Sequence, residues 1–198
     1  MSSLLYIFLF LTVFISHLGA TTEATVEPVI DTTGKRLRSG INYKYYILPV
    51  ARGGGGGGLT ISKSENTTCK KSVIQENYEV SQGLPLSFSP AEKSNTIGVS
   101  ADLNFKFSAT SIWKLDYFDE ATNQWYVSAC GVAGNPGQKT VSNWFKIDKF
   151  EDAYKIVFCP SVCNICKVMC RDIGVFVQDG KRKLVLSDVP LKVVFKRA

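Results

Sequence analysis

Apolar and polar residues alternate with a period of two along much of this 198-residue chain, whereas helical periodicity is almost absent. Successive side chains of a β-strand point to opposite faces, so this pattern predicts half-buried strands. About a dozen short strands, separated by turn signals such as Asn-Pro-Gly, favour a closed all-β barrel, or a barrel with a cap. The stretches that carry the pattern are residues 45–50, 59–62, 72–75, 103–107, 113–117, 154–158, 173–178, 183–186 and 191–195.

Six consecutive glycines, residues 53–58, lie between two of the predicted strands. A phosphate-binding loop would continue with Gly-Lys-Ser or Gly-Lys-Thr and a helix, but this run continues into a strand. We therefore interpret the glycines as a mobile surface loop.

Four of the six cysteines are clustered between Cys159 and Cys170, with Cys163 and Cys166 between them. A structural zinc site usually needs two ligand pairs that are well separated in sequence, and this cluster is too compressed for that. The bacterial iron–sulfur motif resembles the cluster only loosely, because its cysteines are spaced differently. Disulfides fit the spacing if the pairs are nested, Cys159–Cys170 outside and Cys163–Cys166 inside. The cellular compartment decides between these three chemistries.

The N-terminus predicts that compartment. Residues 4–15 form an apolar run that is too short to span a bilayer, and small residues follow it up to Ala20. We predict a signal peptide over residues 1–20, cleaved near Ala20 or alternatively near Ala24; a short membrane anchor is the competing interpretation. Residues 21–198 are then a single soluble domain, secreted or vacuolar, with no membrane contact. Oxidising compartments favour disulfides over metal thiolates.

Two surface features follow from secretion. The net charge of +6 is distributed in short basic groups rather than over one continuous face with interleaved aromatic residues. Nucleic acid is therefore not an expected partner, and the basic groups are interpreted as solvated loops and strand faces. Asn66 begins an Asn-Thr-Thr sequence in a predicted loop, so it is an expected N-glycosylation site.

Most catalytic chemistry is missing from the predicted mature chain. The full sequence has a single histidine, His17, which lies inside the predicted signal peptide, so the predicted mature chain has none. Catalysis by a Ser-His-Asp or Cys-His arrangement is thereby excluded, as is a histidine-ligated metal. The sequence from Asp31 to Gly34 has one residue too many for an aspartic-protease motif, and no second copy supplies the partner carboxylate. We expect a binding protein or inhibitor without cofactor or metal, not an enzyme.

Residues 29–47 resemble the N-terminal motif of the plant Kunitz-type (soybean trypsin inhibitor) family. Two extra residues, Tyr43 and Lys44, precede the Tyr-Tyr-Ile strand of that motif. Similar segments recur through most of residues 80–191, and the miraculin-like branch shares the clustered cysteines. The residues that match the N-terminal motif are Val29, Asp31, Thr33, Gly34, Lys35 and Leu37.

The resemblance implies a disulfide-stapled β-trefoil, a six-stranded barrel plus a three-hairpin cap. It also implies the nested bonds Cys159–Cys170 and Cys163–Cys166. Cys69 matches the first cysteine of the family, but its usual partner before the Trp-Lys-Leu strand is missing, and Cys130 stands where the family has none. These two cysteines are expected to pair with each other, to remain free, or to link two chains as a homodimer.

Family inhibitors present an exposed loop between their fourth and fifth strands as a substrate that is bound but poorly cleaved. By resemblance, this loop contains Pro90, Glu92, Lys93, Ser94 and Asn95. We predict Lys93 as the P1 residue and Lys93–Ser94 as the scissile bond, because an ammonium suits a trypsin-type pocket with an aspartate at its base. An alignment without a gap makes Glu92 the P1 residue instead.

A second difference from the family concerns the support of that loop. Trypsin-inhibiting relatives have an asparagine that braces it from inside, at the position where this chain has Ser39. A hydroxyl reaches less far and offers fewer hydrogen bonds than an amide, so we expect a less rigid loop and weaker inhibition.

The resemblance implies a secreted plant inhibitor of endopeptidases, most naturally of the serine type, with a role in defence or stress. The alternative is a miraculin-like β-trefoil without trypsin inhibition, which binds a carbohydrate, a receptor or a cysteine protease.

Overall fold

The computed structural model describes residues 26–50, 55–63 and 68–198. The predicted signal peptide and Asn66 lie outside these residues. Within the described part, no helix has the length and apolar character that a membrane crossing requires. The described chain forms strands β1 (Tyr45–Pro49), β2 (Leu59–Lys63), β3 (Lys71–Gln75), β4 (Ser87–Pro90), β5 (Leu103–Ser108), β6 (Ser111–Asp119), β7 (Gln124–Gly131), β8 (Lys146–Phe150), β9 (Ala153–Phe158), β10 (Arg171–Gln178), β11 (Lys181–Ser187) and β12 (Val193–Arg197), with a 3-10 helix (Gln138–Asn143) before β8.

Six of the strands close into a barrel. β1 pairs with β12, β12 with β9, β9 with β8, and β5 with β4, all antiparallel. Two isolated bridges complete the ring, one from Tyr45 to Leu86 beside β4 and one from Leu103 to Phe145 beside β8. Because the ring is closed, none of its six strands is left as an open sheet edge.

The other six strands form the hairpins β2–β3, β6–β7 and β10–β11. The hairpins pair with one another, since β3 contacts both β7 and β11, and β7 contacts β11. A six-stranded barrel capped by three hairpins is the β-trefoil that the sequence predicted, so the predicted fold class is confirmed.

The barrel is filled by aromatic side chains. The rings of Phe88, Phe105, Trp113, Phe145 and Phe195 are all fully buried. The Phe105 ring centroid lies 4.9 Å from that of Phe88 in an edge-to-face arrangement, and 4.8 Å from that of Trp113. Such pairs contribute about 0.5–1.5 kcal/mol each beyond their burial. A core of this kind gives the loops at the barrel ends a rigid base.

Three disulfides use all six cysteines, namely Cys159–Cys170, Cys163–Cys166 and Cys69–Cys130. The first two are nested in the loop between β9 and β10. The third joins Cys69, two positions before β3, to Cys130 in β7, which is 61 positions later in the sequence. Of the three alternatives that the sequence left open for these two cysteines, the structure therefore shows the first, a bond between them.

The interpretation of the glycine run as a mobile loop is wrong for its last three residues. Gly56, Gly57 and Gly58 are buried. The Gly57 amide donates to the Glu76 carbonyl at 2.7 Å, and a Cβ on Gly57 or Gly58 would stand less than 3.0 Å from backbone oxygens of residues 78–82. Two backbones approach so closely here that no side chain fits between them, which is why glycine is required.

Candidate functional site

The connection between β4 and β5 contains the predicted loop residues, and we call residues 90–95 the candidate loop. Its N-terminal flank is held by sheet pairing, since Pro90 is the last partner of Leu103 and the Ala91 amide donates to the Asp102 carbonyl at 2.8 Å. The next four residues, Glu92, Lys93, Ser94 and Asn95, are all exposed. The structure therefore places the predicted residues in one continuous exposed segment.

The C-terminal flank of the candidate loop is fastened to the N-terminal segment of the domain. Ile97 is fully buried, its amide donates to the Leu37 carbonyl at 2.9 Å, and its carbonyl accepts from the Val29 amide at 2.9 Å. Thr96 also bridges to Arg38. A buried apolar side chain between two backbone hydrogen bonds fixes the end of the loop.

Ser39 contacts the exposed segment from this N-terminal side. Its hydroxyl donates to the Ser94 carbonyl, and its amide donates to the Asn95 carbonyl at 3.1 Å. The Ser94 hydroxyl in turn donates to the Thr96 carbonyl at 2.7 Å and accepts from the Thr96 amide at 3.1 Å. The backbone that follows Lys93 is thus held by hydrogen bonds on both sides.

The two extra residues before β1 belong to the same support. Two guanidinium groups lie over the Tyr43 ring, that of Arg38 at 4.5 Å and that of Arg197 at 5.6 Å from its centroid. The Arg38 amide donates to the hydroxyl of Tyr45 at 2.9 Å. Cation–π contacts of this kind contribute about 0.5–2 kcal/mol each, so they order the segment that carries Ser39.

Asp31 stabilises the turn that precedes Leu37. Its Oδ1 accepts from the Thr33 amide at 2.8 Å, the Thr33 hydroxyl at 2.7 Å and the Lys35 amide at 3.0 Å. Burial alone would raise the pKa of this carboxyl, but the hydrogen bonds from Thr33 and Lys35 stabilise its charged form and hold the pKa below its usual value.

The charge on the candidate loop is free to act on a partner. Lys93 is exposed, and no carboxylate of the described residues lies within ion-pair distance of its ammonium.

The described residues contain no group of three or more His, Cys, Asp or Glu placed to hold a metal ion.

Comparison with known families identifies the chain. The Kunitz family model described as trypsin and protease inhibitor matches residues 29–197, which include the whole barrel and the candidate loop. The chain belongs to the plant Kunitz-type inhibitor family. The predicted membership is therefore confirmed, and the family is one of inhibitors rather than enzymes.

Individual relatives agree with this assignment. The chain is 71% identical to Kunitz trypsin inhibitor 5 of Arabidopsis thaliana, over 100% of both chains. It is 42% identical to miraculin of Synsepalum dulcificum, over 90% of this chain and 86% of miraculin.

Two solved structures share the fold over most of their length. The Kunitz-type cysteine protease inhibitor PCPI-3 from potato has a TM-score of 0.75 and 28% identity, over 87% of this chain and 98% of its own. Soybean trypsin inhibitor has a TM-score of 0.67 and 25% identity, over 87% and 100%.

Proposed function

We propose that this chain inhibits a serine endopeptidase by presenting the candidate loop as a substrate that is bound tightly and cleaved slowly. The observation that carries the proposal is the exposed segment from Glu92 to Asn95, whose flanks are tied to the start of β5 on one side and to the N-terminal segment on the other. A segment that is already ordered loses little conformational entropy on docking, so more of the contact energy remains as affinity.

The support from Ser39 favours Lys93 over Glu92 as the P1 residue. The braced carbonyl belongs to Ser94, which follows the Lys93–Ser94 bond directly. With Glu92 as P1, the brace would lie one residue further from the bond that is attacked. The Lys93 ammonium also suits an S1 pocket with an aspartate at its base, which would repel a glutamate.

The same anchors explain how a substrate-like loop can inhibit. After cleavage of the Lys93–Ser94 bond, the flanks at Ala91 and Ile97 and the Ser39 hydrogen bonds would keep both new chain ends in place. Ends that stay aligned in the protease favour religation over release. The complex then persists, although the protease has met a bond that it can cut.

The test is a titration of trypsin with the purified oxidised protein and its Lys93→Ala, Glu92→Gln and Lys70→Ala variants. We expect one-to-one inhibition by the wild type and about a hundredfold weaker inhibition by Lys93→Ala, since a P1 residue is the central anchor of such an interface. Glu92→Gln and Lys70→Ala, the latter an exposed lysine outside the candidate loop, should inhibit like the wild type. Equal inhibition by Lys93→Ala would contradict the proposal.

A second candidate function is binding of a cysteine protease or another ligand without trypsin inhibition. The similarity to the potato cysteine protease inhibitor and to miraculin favours it. A folded wild type that leaves trypsin active but inhibits a papain-type protease, equally well with Lys93→Ala, would establish this alternative.

We also propose that the protein is secreted after cleavage near Ala20, is glycosylated at Asn66, and acts in defence or stress. The three disulfides support an oxidising compartment, where such bonds persist. N-terminal sequencing and peptide mass measurement of protein purified from plant tissue would test the cleavage site and the glycan. Recovery of an uncleaved, unmodified chain would contradict this part of the proposal.

A further inference from the structure

We propose that Lys146, Asp102 and Ser161 form a second brace, which holds the N-terminal flank of the candidate loop and connects it to the disulfide loop between β9 and β10. The inference rests on the proposed function, because it assigns positioning residues to the same inhibitory loop. It gives the disulfide loop a part in inhibition that is separate from stapling the fold.

Lys146 is the centre of this brace. Its side chain in β8 is only 14% exposed. Its ammonium lies 3.1 Å from Asp102 Oδ1, 2.9 Å from the Ser100 carbonyl oxygen and 3.0 Å from Ser161 Oγ. A lysine ammonium has three donors, so these three partners use all of them. The ammonium is therefore committed to holding other residues and is not available to a ligand.

Asp102 connects the candidate loop to the disulfide loop. Its backbone carbonyl accepts the hydrogen bond from the Ala91 amide at 2.8 Å. Its carboxylate accepts from the Ser161 amide at 3.2 Å and from the Ser161 hydroxyl at 2.5 Å. Ser161 comes two positions after Cys159, so the Cys159–Cys170 bond limits its movement.

Ser100 shows how firmly the segment between the candidate loop and β5 is held. Its φ of +60° is in the left-handed region, which serine seldom adopts. Its amide donates to the Ile147 carbonyl at 2.9 Å, its hydroxyl donates to Asp148 Oδ1 at 2.7 Å, and its carbonyl accepts from Lys146. Three consecutive residues of β8 thus fix this residue, and an unfavourable backbone conformation persists only where the surroundings over-determine it.

Packing does not replace these bonds. A cavity of about 480 Å³ is lined by residues 90–92 of the candidate loop on one side and by Ser161 and Val162 on another, and both Asp102 and Lys146 line it as well. Where the loop flank faces this space it gains no packing contacts, so hydrogen bonds contribute more to its position there. Removal of the ammonium would leave the Asp102 carboxylate without its cation and the Ser100 carbonyl without its donor.

The chain offers a matched control for this ammonium. Lys155 in β9 makes an ion pair with Asp172 at 2.9 Å, and the two side chains are 24% and 19% exposed. This pair also lies beside the disulfide loop, since Asp172 comes two positions after Cys170. It joins β9 to β10 and has no hydrogen bond to residues 90–102 among its described contacts.

The experiment compares Lys146→Met and Lys155→Met, both of which remove the ammonium and keep an unbranched apolar side chain of nearly the same length. We expect Lys146→Met to raise the dissociation rate from trypsin and the rate of Lys93–Ser94 cleavage about tenfold, which corresponds to about 1.4 kcal/mol. Lys155→Met should change neither rate. The melting temperature of each variant shows how far a general loss of stability contributes.

A measurement on the protein in the absence of protease tests the second brace independently of the proposed inhibitory function. The Ala91 amide donates to Asp102, whereas the Ile97 amide on the other flank donates to Leu37. We expect Lys146→Met to accelerate hydrogen exchange at Ala91 about tenfold and to leave Ile97 unchanged, with no effect of Lys155→Met at either amide. A wild type that fails to inhibit trypsin would refute the proposed function, and this exchange experiment would still decide on the brace.

Two outcomes would overturn the inference. One is an Ala91 exchange rate that Lys146→Met leaves unchanged, and the other is an equal effect of both variants on exchange and dissociation. If Lys146→Met does not fold, Ser161→Ala replaces it. That variant removes only the hydroxyl contacts and keeps the hydrogen bond from the Ser161 amide to Asp102. We therefore expect hydrogen exchange at Ala91 to accelerate about threefold, and an unchanged exchange rate would again reject the inference.

Discussion

Joint replacement of Cys69 and Cys130 by alanine should destabilise the protein more than removal of either C-terminal disulfide. The bond encloses 61 positions of sequence, against 11 for Cys159–Cys170 and 3 for Cys163–Cys166. Loss of chain entropy in the unfolded state grows with the logarithm of this separation. The corresponding stabilisation is about 4 kcal/mol for the long loop, about 3 kcal/mol for the second and about 1.5 kcal/mol for the smallest.

In the native structure, the Cys69–Cys130 bond adds little to the contacts that already hold β3 and β7 together. β3 and β7 already pair through Ser72 and Ser128, so the hairpins stay adjacent when the sulfurs are gone. The loss therefore falls on the unfolded chain, which becomes free to separate residues 69 and 130. Against a usual total of about 5–15 kcal/mol, the variant should remain folded at room temperature but with a reduced margin.

Urea unfolding of the three double-alanine variants, followed by tryptophan fluorescence, measures these differences. The free energy of unfolding in water should fall in the order of loop length, and the slope with urea should rise most for the longest loop because its unfolded state exposes more surface. A Cys69→Ala/Cys130→Ala variant that is as stable as Cys163→Ala/Cys166→Ala would refute the entropic reasoning.

Three further predictions concern single residues. Ser39→Ala removes the hydroxyl that holds the candidate loop, so its inhibition constant for trypsin should rise about fivefold, whereas its melting temperature should not change; an unchanged constant would contradict the role of the brace. Asp31 has a lowered pKa in the folded state, so its contribution is complete above its unfolded pKa of about 3.9 and is lost as the pH falls through the folded value. Urea unfolding between about pH 2 and 5 should therefore show a weaker pH dependence in Asp31→Asn, and identical curves would refute this. Gly58→Ala forces a Cβ against backbone and should cost about 3 kcal/mol or more, whereas Gly98→Ala meets only the end of a valine side chain and should cost less than about 1 kcal/mol; equal thermal shifts would be the contrary result.

Two of the strands that the sequence predicted, β1 and β12, begin with an alternation of buried and less buried residues. In β5, Leu103, Phe105 and Phe107 belong to the buried core as the alternation predicts, and Lys106 between them is less buried. β7 was missed because residues 126–129 are buried consecutively, so no period of two is visible there. The glycine run was misinterpreted for a related reason. A glycine has no side chain, so its sequence context does not distinguish a buried glycine from one in a mobile loop.

The position of the candidate loop followed from the family resemblance and not from any local pattern. Its supports were beyond sequence reasoning, because they join residues that are far apart along the chain. Lys146 meets Asp102 across 44 positions, and Arg197 reaches Tyr43 across 154 positions. Only the pairing of the barrel strands brings such residues together, and the period-two pattern fixes which face a side chain takes but not which distant strand lies beside it.

Pairing between β1 and β12 also has a consequence for biosynthesis. Among the described strands, β1 leaves the ribosome first and its partner β12 leaves it after all the others, and the two join over five residue pairs. Arg197 packs on Tyr43, and the Ala198 amide donates to the Lys44 carbonyl at 3.0 Å, directly beside the segment that carries Ser39. A nascent chain therefore has its candidate loop before the last part of the support, the contacts of β12 and Ala198 with residues 43 and 44, is in place. The capacity to capture a protease should be acquired only when translation of β12 is complete.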